Sequence, residues 1–375
     1  MKFNVPSKTL YSFVSAVSKV INSKNALTVL NNFLFTLEDN KLTIKASDTE
    51  NSLLATLDVT EAEGNGSFCL DARRMVDLLK EMPDQGMTFI INDDTLETVI
   101  EYPNGVYHTA AIPGADYPAT AQEESEAALD FDITAEQALR GIENTIFAVG
   151  NDDFHPQMMG ILWDVKPDMV VFVATDTRKL VRYTDKSIAT GACGSFILPL
   201  KPATVLRTVF GKEENIHVTV TKKSVCFKSA NYKFDCRQIK GSFPDYNRVI
   251  PLSNPNILTV DRLSLINAVR RVTVFGNDGN GLIKFTLSDN SLLLTAQDSG
   301  SGTSGRESLS CEYDGKDMVI GFSSPYLLEI FSTIQAPDVE MKLADPSRPA
   351  VCVPTEQEPD TELLMILMPM NIANY

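Results

Sequence analysis

Ala174-Thr175-Asp176-Thr177-Arg178-Lys179-Leu180 is the middle member of three related stretches. Ala46-Ser47-Asp48-Thr49 precedes it and Ala296-Gln297-Asp298-Ser299 follows it, with the aspartates 128 and 122 residues apart. Each copy closes an apolar, β-rich run: Lys41 to Lys45, Met169 to Val173, and Leu292 to Thr295. A small residue, a polar residue and an Asp after a strand make a turn. Three such turns at near-equal spacing mean one domain design written three times.

The flanking sequence keeps the same period. Gly66-Ser67-Phe68 recurs as Gly194-Ser195-Phe196, Asp116-Tyr117 as Asp245-Tyr246, and Pro202 as Pro325. Helical stripes recur with them. Leu10, Phe13, Val14, Val17 and Ile21 fall on one face, and Leu139, Ile142, Ile146 and Val149 on another. Further helices are expected over 71–82, ended by Pro83, and over 132–149, 202–210, 260–274 and 325–334. Strands are expected between them, with a hairpin turn at Asn104-Gly105, another over Gly276–Gly281, and a last strand over 363–370. Each third therefore reads as two helices against antiparallel sheet, an α+β repeat with more strand than helix. The domains fall at 1–120, 130–252 and 253–375, the first two separated by an acidic, alanine-rich linker.

At 375 residues the chain is long enough for three cores. It shows no signal-peptide pattern and no apolar run of membrane length, so a cytoplasmic protein without a membrane partner is expected. Six scattered cysteines form no C-x-x-C pair and read as reduced thiols packed in strands. Three histidines, with no H-E-x-x-H, P-loop or G-x-S-x-G, leave no enzyme and no cofactor to propose. Asp152-Asp153 beside His155 is an ordinary acidic loop before it is a metal site. A net charge of −16 argues for protein partners. Yet the cations gather on helical segments while strands and loops carry the acid. A local basic surface can still attract phosphate, because acid elsewhere is screened beyond about 8 Å. Any nucleic-acid contact would be directed to the backbone.

Taken together, the threefold repeat, Thr175 to Leu180, Phe243-Pro244-Asp245-Tyr246-Asn247-Arg248-Val249-Ile250-Pro251 and the ending Leu367-Met368-Pro369-Met370 resemble the bacterial DNA polymerase III beta subunit, the β sliding clamp family, over the whole chain. The resemblance implies a processivity factor of DNA replication. Three tandem clamp domains would pair head to tail with a second copy as a homodimer, a six-domain ring around double-stranded DNA. The implied partners are the polymerase III catalytic subunit, the clamp loader and other proteins bearing a clamp-binding motif. It implies a partner-peptide pocket with Met158, Thr175, Thr177, Leu180, Pro244, Arg248 and Val249 on one side. Tyr326, Ile366, Leu367, Met368, Pro369 and Met370 would form the other. It further implies DNA contacts from Lys24, Arg73, Lys201 and Arg271, and a dimer interface at Tyr107 and Phe275. Thr177-Arg178-Lys179 stands where the family often has Gly-His-Arg, and the tail to Tyr375 is long enough to cover part of the pocket. The rival reading is a tandem β-rich protein-binding module that does not encircle DNA.

Overall fold

The repeated turn has one local structure. The computed structural model describes residues 1–22, 25, 27–119, 126–276 and 281–372. In it Ser47 Oγ donates to the Asn51 carbonyl at 2.9 Å, the Thr49 amide donates to Ser47 Oγ at 3.2 Å, and Asp48 Oδ1 accepts the amides of Glu50 and Asn51. The middle copy repeats this bond for bond. Thr175 Oγ1 donates to the Lys179 carbonyl at 2.8 Å and receives the Thr177 amide, while Asp176 Oδ1 takes the amides of Arg178 and Lys179. Thr49 and Thr177 both lie in the left-handed region, at φ 80° and 74°. That conformation costs a β-branched residue about 1–2 kcal/mol, and its recurrence assigns the strain to the turn. The third copy is looser. Asp298 takes the Gly300 amide and the Ser301 hydroxyl, and the left-handed position falls on Gly302.

Each turn feeds one strand: Asn51–Asp58, Lys179–Asp185 and Thr303–Ser310. Each repeat also ends its sheet on a second strand: Gly105–Ala110, Tyr232–Arg237 and Thr361–Leu367. These six strands decide the architecture. Asn51–Asp58 pairs antiparallel with Tyr232–Arg237, with Leu53 opposite Phe234. The two strands join half of the first repeat to half of the second in a nine-stranded sheet. Lys179–Asp185 pairs in the same way with Thr361–Leu367, Leu180 opposite Ile366, inside a second nine-stranded sheet. The remaining two strands, Gly105–Ala110 and Thr303–Ser310, are edges of a five-stranded and a four-stranded sheet. Among the described residues neither has a strand on its outer side.

The chain accordingly divides into two compact units that cut across the sequence repeat. One comprises residues 1–139 and 201–238, the other 140–200 and 239–375, so the middle third contributes to both.

Among the described residues the helices are α1 Ser7–Val17, α2 Ala72–Glu81, α3 Ala135–Thr145, α4 Leu200–Val209, α5 Arg262–Thr273 and α6 Ser324–Thr333. Asp71 and Asp261 cap α2 and α5 by accepting the amides of Arg74 and Ser264 at 2.7 Å. The third and fifth helices start later than expected. Residues 132–134 and 260–261 finish strands whose alternating buried positions outcompete the helical stripe. Gly141 lets α3 lie directly on Phe172, since a Cβ there would fall 2.5 Å from the ring. The Asn104-Gly105 hairpin forms, with Gly105 opposite Tyr102. The hairpin expected over Gly276–Gly281 follows α5 rather than a strand, and residues 277–280 lie outside the described residues. The two repeated tyrosines are anchors: Tyr117 is buried against Leu30 and Cys69, and Tyr246 beside Leu180 and Ile366. Cys69, Cys236 and Cys352 are buried free thiols, whereas Cys193 is exposed outside any strand.

Candidate functional site

The second joint builds a cavity. Strand pairing sets Leu180 against Ile366, and both are almost fully buried with Leu162, Val171, Val173 and Ile197. The segment Phe243–Pro251 then crosses this floor. Its Tyr246 hydroxyl donates to Asp164 Oδ2 at 2.8 Å, and Asp245 accepts the Asn247 amide to start a short 3-10 turn. That turn pushes Val249 outward, 53 % exposed, and leaves Leu252 fully exposed. The result is an open cavity of about 770 Å³ with a buried aliphatic floor and an exposed aliphatic wall. A volume of this size fits a short peptide or a drug-sized ligand.

Met158, Thr175, Thr177, Leu180, Pro244, Arg248, Val249, Ile366 and Met368 line it, all within one unit. Four residues assigned by resemblance do not. Leu367 is one step from Ile366 on a strand, so it points to the opposite face and is wholly buried. Pro369 lies beyond the strand, which ends at Leu367 and not at 370. The Met370 amide donates to the Gly321 carbonyl at 2.7 Å, carrying the chain off to the four-stranded sheet. Gly321 permits this approach, because a Cβ there would meet Ile372 at 2.5 Å. The described part of the tail, Asn371 and Ile372, therefore leaves the cavity uncovered, and residues 373–375 lie outside the described residues. Tyr326 does not line the cavity but meets Lys179, which does. Its ring lies 4.1 Å from Lys179 Nζ.

Lys179 links the turn to α6. Its ammonium is almost fully buried, 2.8 Å from Asp176 Oδ2 and 3.0 Å from Glu329 Oε2. Burial alone would lower its pKa, but the hydrogen bonds to Asp176 and Glu329 outweigh that and hold it above the ordinary lysine value. The equivalent aspartate of the first turn is neutralised from elsewhere. Lys201 Nζ reaches the buried Asp48 carboxylate at 2.5 Å, together with the Val20 carbonyl and Asn22 Oδ1. Burial pushes Asp48 upward, yet the bonds from Lys201 and Asn51 prevail and its pKa is lowered.

Of the four cations expected to meet DNA, Lys201 and Arg271 have acidic partners. Lys201 is committed to internal partners. Arg271 holds Glu307 through two guanidinium nitrogens. Arg73 is 92 % exposed and lies 3.7 Å from Asp77. Lys24 lies outside the described residues. Tyr107 and Phe275 are half-exposed and each belongs to an open edge. Tyr107 is on Gly105–Ala110 and stacks on Tyr102, with hydroxyls 3.1 Å apart. Phe275 lies against Gly305 of Thr303–Ser310, and its carbonyl accepts the Thr303 hydroxyl.

Phe243, Ile250, Pro251, Leu252, Arg178, Arg348 and Pro349 also line the cavity. The first four stand in or beside the Phe-Pro-Asp-Tyr segment and were readable there. Arg348 and Pro349 carried no local signal; pairing of Ala350–Pro354 with Thr361–Leu367 brings them in. Among the described residues no cluster of three His, Cys, Asp or Glu is placed to hold a metal ion, and no helix is long and apolar enough to cross a membrane.

Fold and site define a tandem-repeat α+β protein with an open apolar cavity at a repeat joint. The chain matches the N-terminal, central and C-terminal domains of the DNA polymerase III beta subunit over residues 1–121, 132–245 and 247–371. It therefore belongs to the DNA polymerase III beta subunit family. It is 25 % identical to the beta sliding clamp of Haemophilus influenzae and 24 % to that of Vibrio cholerae, over 99 % of this chain and all of theirs. The fold agrees with crystal structures of the Pseudomonas aeruginosa DNA polymerase sliding clamp (TM-score 0.92, 24 % identity) and the Thermotoga maritima DNA polymerase III beta subunit (0.90, 24 %), each covering 99 % of this chain and all of the other.

Proposed function

We propose that this chain is the processivity clamp of DNA replication: two copies, three clamp domains each, close head to tail around duplex DNA and tether DNA polymerase without reading sequence. One observation carries the ring. Every repeat supplies one strand after its turn and one closing strand, two such pairs are joined within the chain, and the two left over are both open edges. Thr303–Ser310 of one copy pairing with Gly105–Ala110 of another repeats the internal joints, and a heterologous contact of this kind closes a ring. Tyr107 and Phe275 are the aromatic anchors of that seam. We place the domains at 1–120, 130–252 and 253–375; the gap between the first two family matches, 121 to 132, favours the first limit, whereas the second and third matches meet earlier, at 245 and 247.

A closed ring needs only weak phosphate attraction. Arg73, together with the exposed helix residues Lys8, Lys80, Arg207 and Arg270, supports that role, and the resemblance adds Lys24. The apolar cavity takes short segments of the polymerase catalytic subunit, the clamp loader and other partners, with Met158 and Met368 adapting to each. We assign no catalytic step and place the protein in the cytoplasm.

The test is retention on nicked circular DNA after loading by a clamp loader. Retention that is lost on linearising the circle is expected. Equal retention on linear DNA, or none on the circle, overturns the ring and favours the protein-binding module.

A further inference from the structure

We infer that the cavity selects partner segments carrying acidic residues beside their apolar anchors; this rests on the peptide-binding reading above. Within a chain of net charge −16, the cavity lining holds Arg178, Arg248 and Arg348 against one exposed acid, Asp245, with Asp345 beside Arg348. Arg178 is exposed, and none of its ion pairs appears among the described residues. Arg248 and Arg348 each touch an aspartate three residues earlier, Asp245 and Asp345, through Nε, at 2.9 and 3.2 Å. These are solvent-exposed pairs of little strength, made through Nε alone, and the side chains of Arg248 and Arg348 stay 85 % and 63 % exposed. Lys179, the fourth cation of the lining, is different: it is buried and neutralised by Asp176 and Glu329, so it holds the wall in place.

The apolar floor alone would accept any aliphatic or aromatic residue, because burial is non-directional. Three guanidinium groups at the mouth supply what the floor lacks, a preference by charge. The remainder of the chain is acidic and repels an acidic segment, but only within roughly 8 Å at physiological salt. A carboxylate seated at the rim is governed by the arginines. The three arginines come from three separate connections, Arg178 before Lys179–Asp185, Arg248 within Tyr246–Val249 and Arg348 before Ala350–Pro354, so the folded chain assembles the charge at the rim.

The experiment uses the full chain and three labelled peptides. They share an apolar Leu-Leu-Phe centre, matched to the aliphatic floor, and carry flanking pairs of Glu, Gly or Lys. Polarisation titrations are run at about 50 and about 300 mM salt. The Glu-flanked peptide is expected to bind about fivefold more tightly than the Gly-flanked one, the scale of two exposed ion pairs, with the advantage shrinking at high salt. Arg178→Gln with Arg348→Gln should reduce that preference, folding being checked by circular dichroism. Equal binding of the Glu and Gly peptides overturns the acidic preference while leaving the pocket standing. A preference that survives both substitutions also overturns the assignment to these arginines. Failure of all three peptides to bind the folded protein removes the pocket reading, and the preference with it.

Discussion

Asn51–Asp58 and Thr303–Ser310 hold the same place in the repeat and end in opposite surroundings. The first is flanked by Tyr232–Arg237 and buries Asn51, Ser52, Leu53, Ala55 and Leu57; the second has an open side and no buried residue. The closing strands differ likewise. Tyr232, Phe234 and Cys236 are buried, whereas no residue of Gly105–Ala110 is. An open edge invites uncontrolled pairing, and polar or charged side chains are the usual protection. Arg306, Glu307 and His108 provide them here. The comparison teaches that one strand design is used in two ways: buried and largely apolar at the internal joint, exposed and polar with isolated aromatics at the open edges, as the seam proposed above requires.

The largest effect belongs to the internal joint. Phe234→Ala should cost about 4 kcal/mol of unfolding free energy in urea titrations, since the side chain is wholly buried. A loss below about 1 kcal/mol would erase the distinction between joint and edge. At the edge, Phe275→Ala should leave folding stability nearly unchanged and weaken dimerisation by about 2 kcal/mol, roughly thirtyfold, measured by sedimentation. Destabilisation of the fold without monomerisation would place Phe275 in the core instead.

Two cations sharpen the contrast between internal and outward roles. Lys201→Met should destabilise the fold by about 2 kcal/mol, a figure reduced for the ammonium's partial exposure. Arg73→Ala should leave stability alone and lower the log–log salt slope of DNA binding by about 0.9. The reverse pattern would exchange their assignments. The Asp48 bond also has a pH signature. The native pKa is depressed, so its contribution is fully present above the unfolded value of about 3.9 and is lost as pH falls through the native one. Asp48→Asn should therefore cost stability at neutral pH and little at strongly acidic pH; an equal cost at both would exclude the ion pair. The smallest effect is at the turns. Thr49→Gly and Thr177→Gly should each stabilise by up to about 1 kcal/mol by relieving positive φ. Gain at one turn alone would show that the strain is not a property of the repeat.

Sequence alone determined the repeat, its turns and most of the cavity. Ser47-Asp48-Thr49 and Thr175-Asp176-Thr177 form by hydrogen bonds reaching no further than four residues, and helix and strand periodicities are equally local, so both are written in the residues themselves. The cavity was legible where the Phe-Pro-Asp-Tyr segment supplies its wall. Tertiary structure alone decided the rest. Lys201 and Arg73 look alike as helix cations, but only the folded chain brings Asp48 to one and leaves the other in water. Ile366 and Leu367 look alike as strand aliphatics, and pairing with Leu180 fixes which of them faces the cavity. Arg348 joins the rim through a strand pairing that no spacing announces. Partners distant in sequence are chosen by the sheet register, and that register is set where alternate apolar positions such as Leu180 and Ile366 must be buried together.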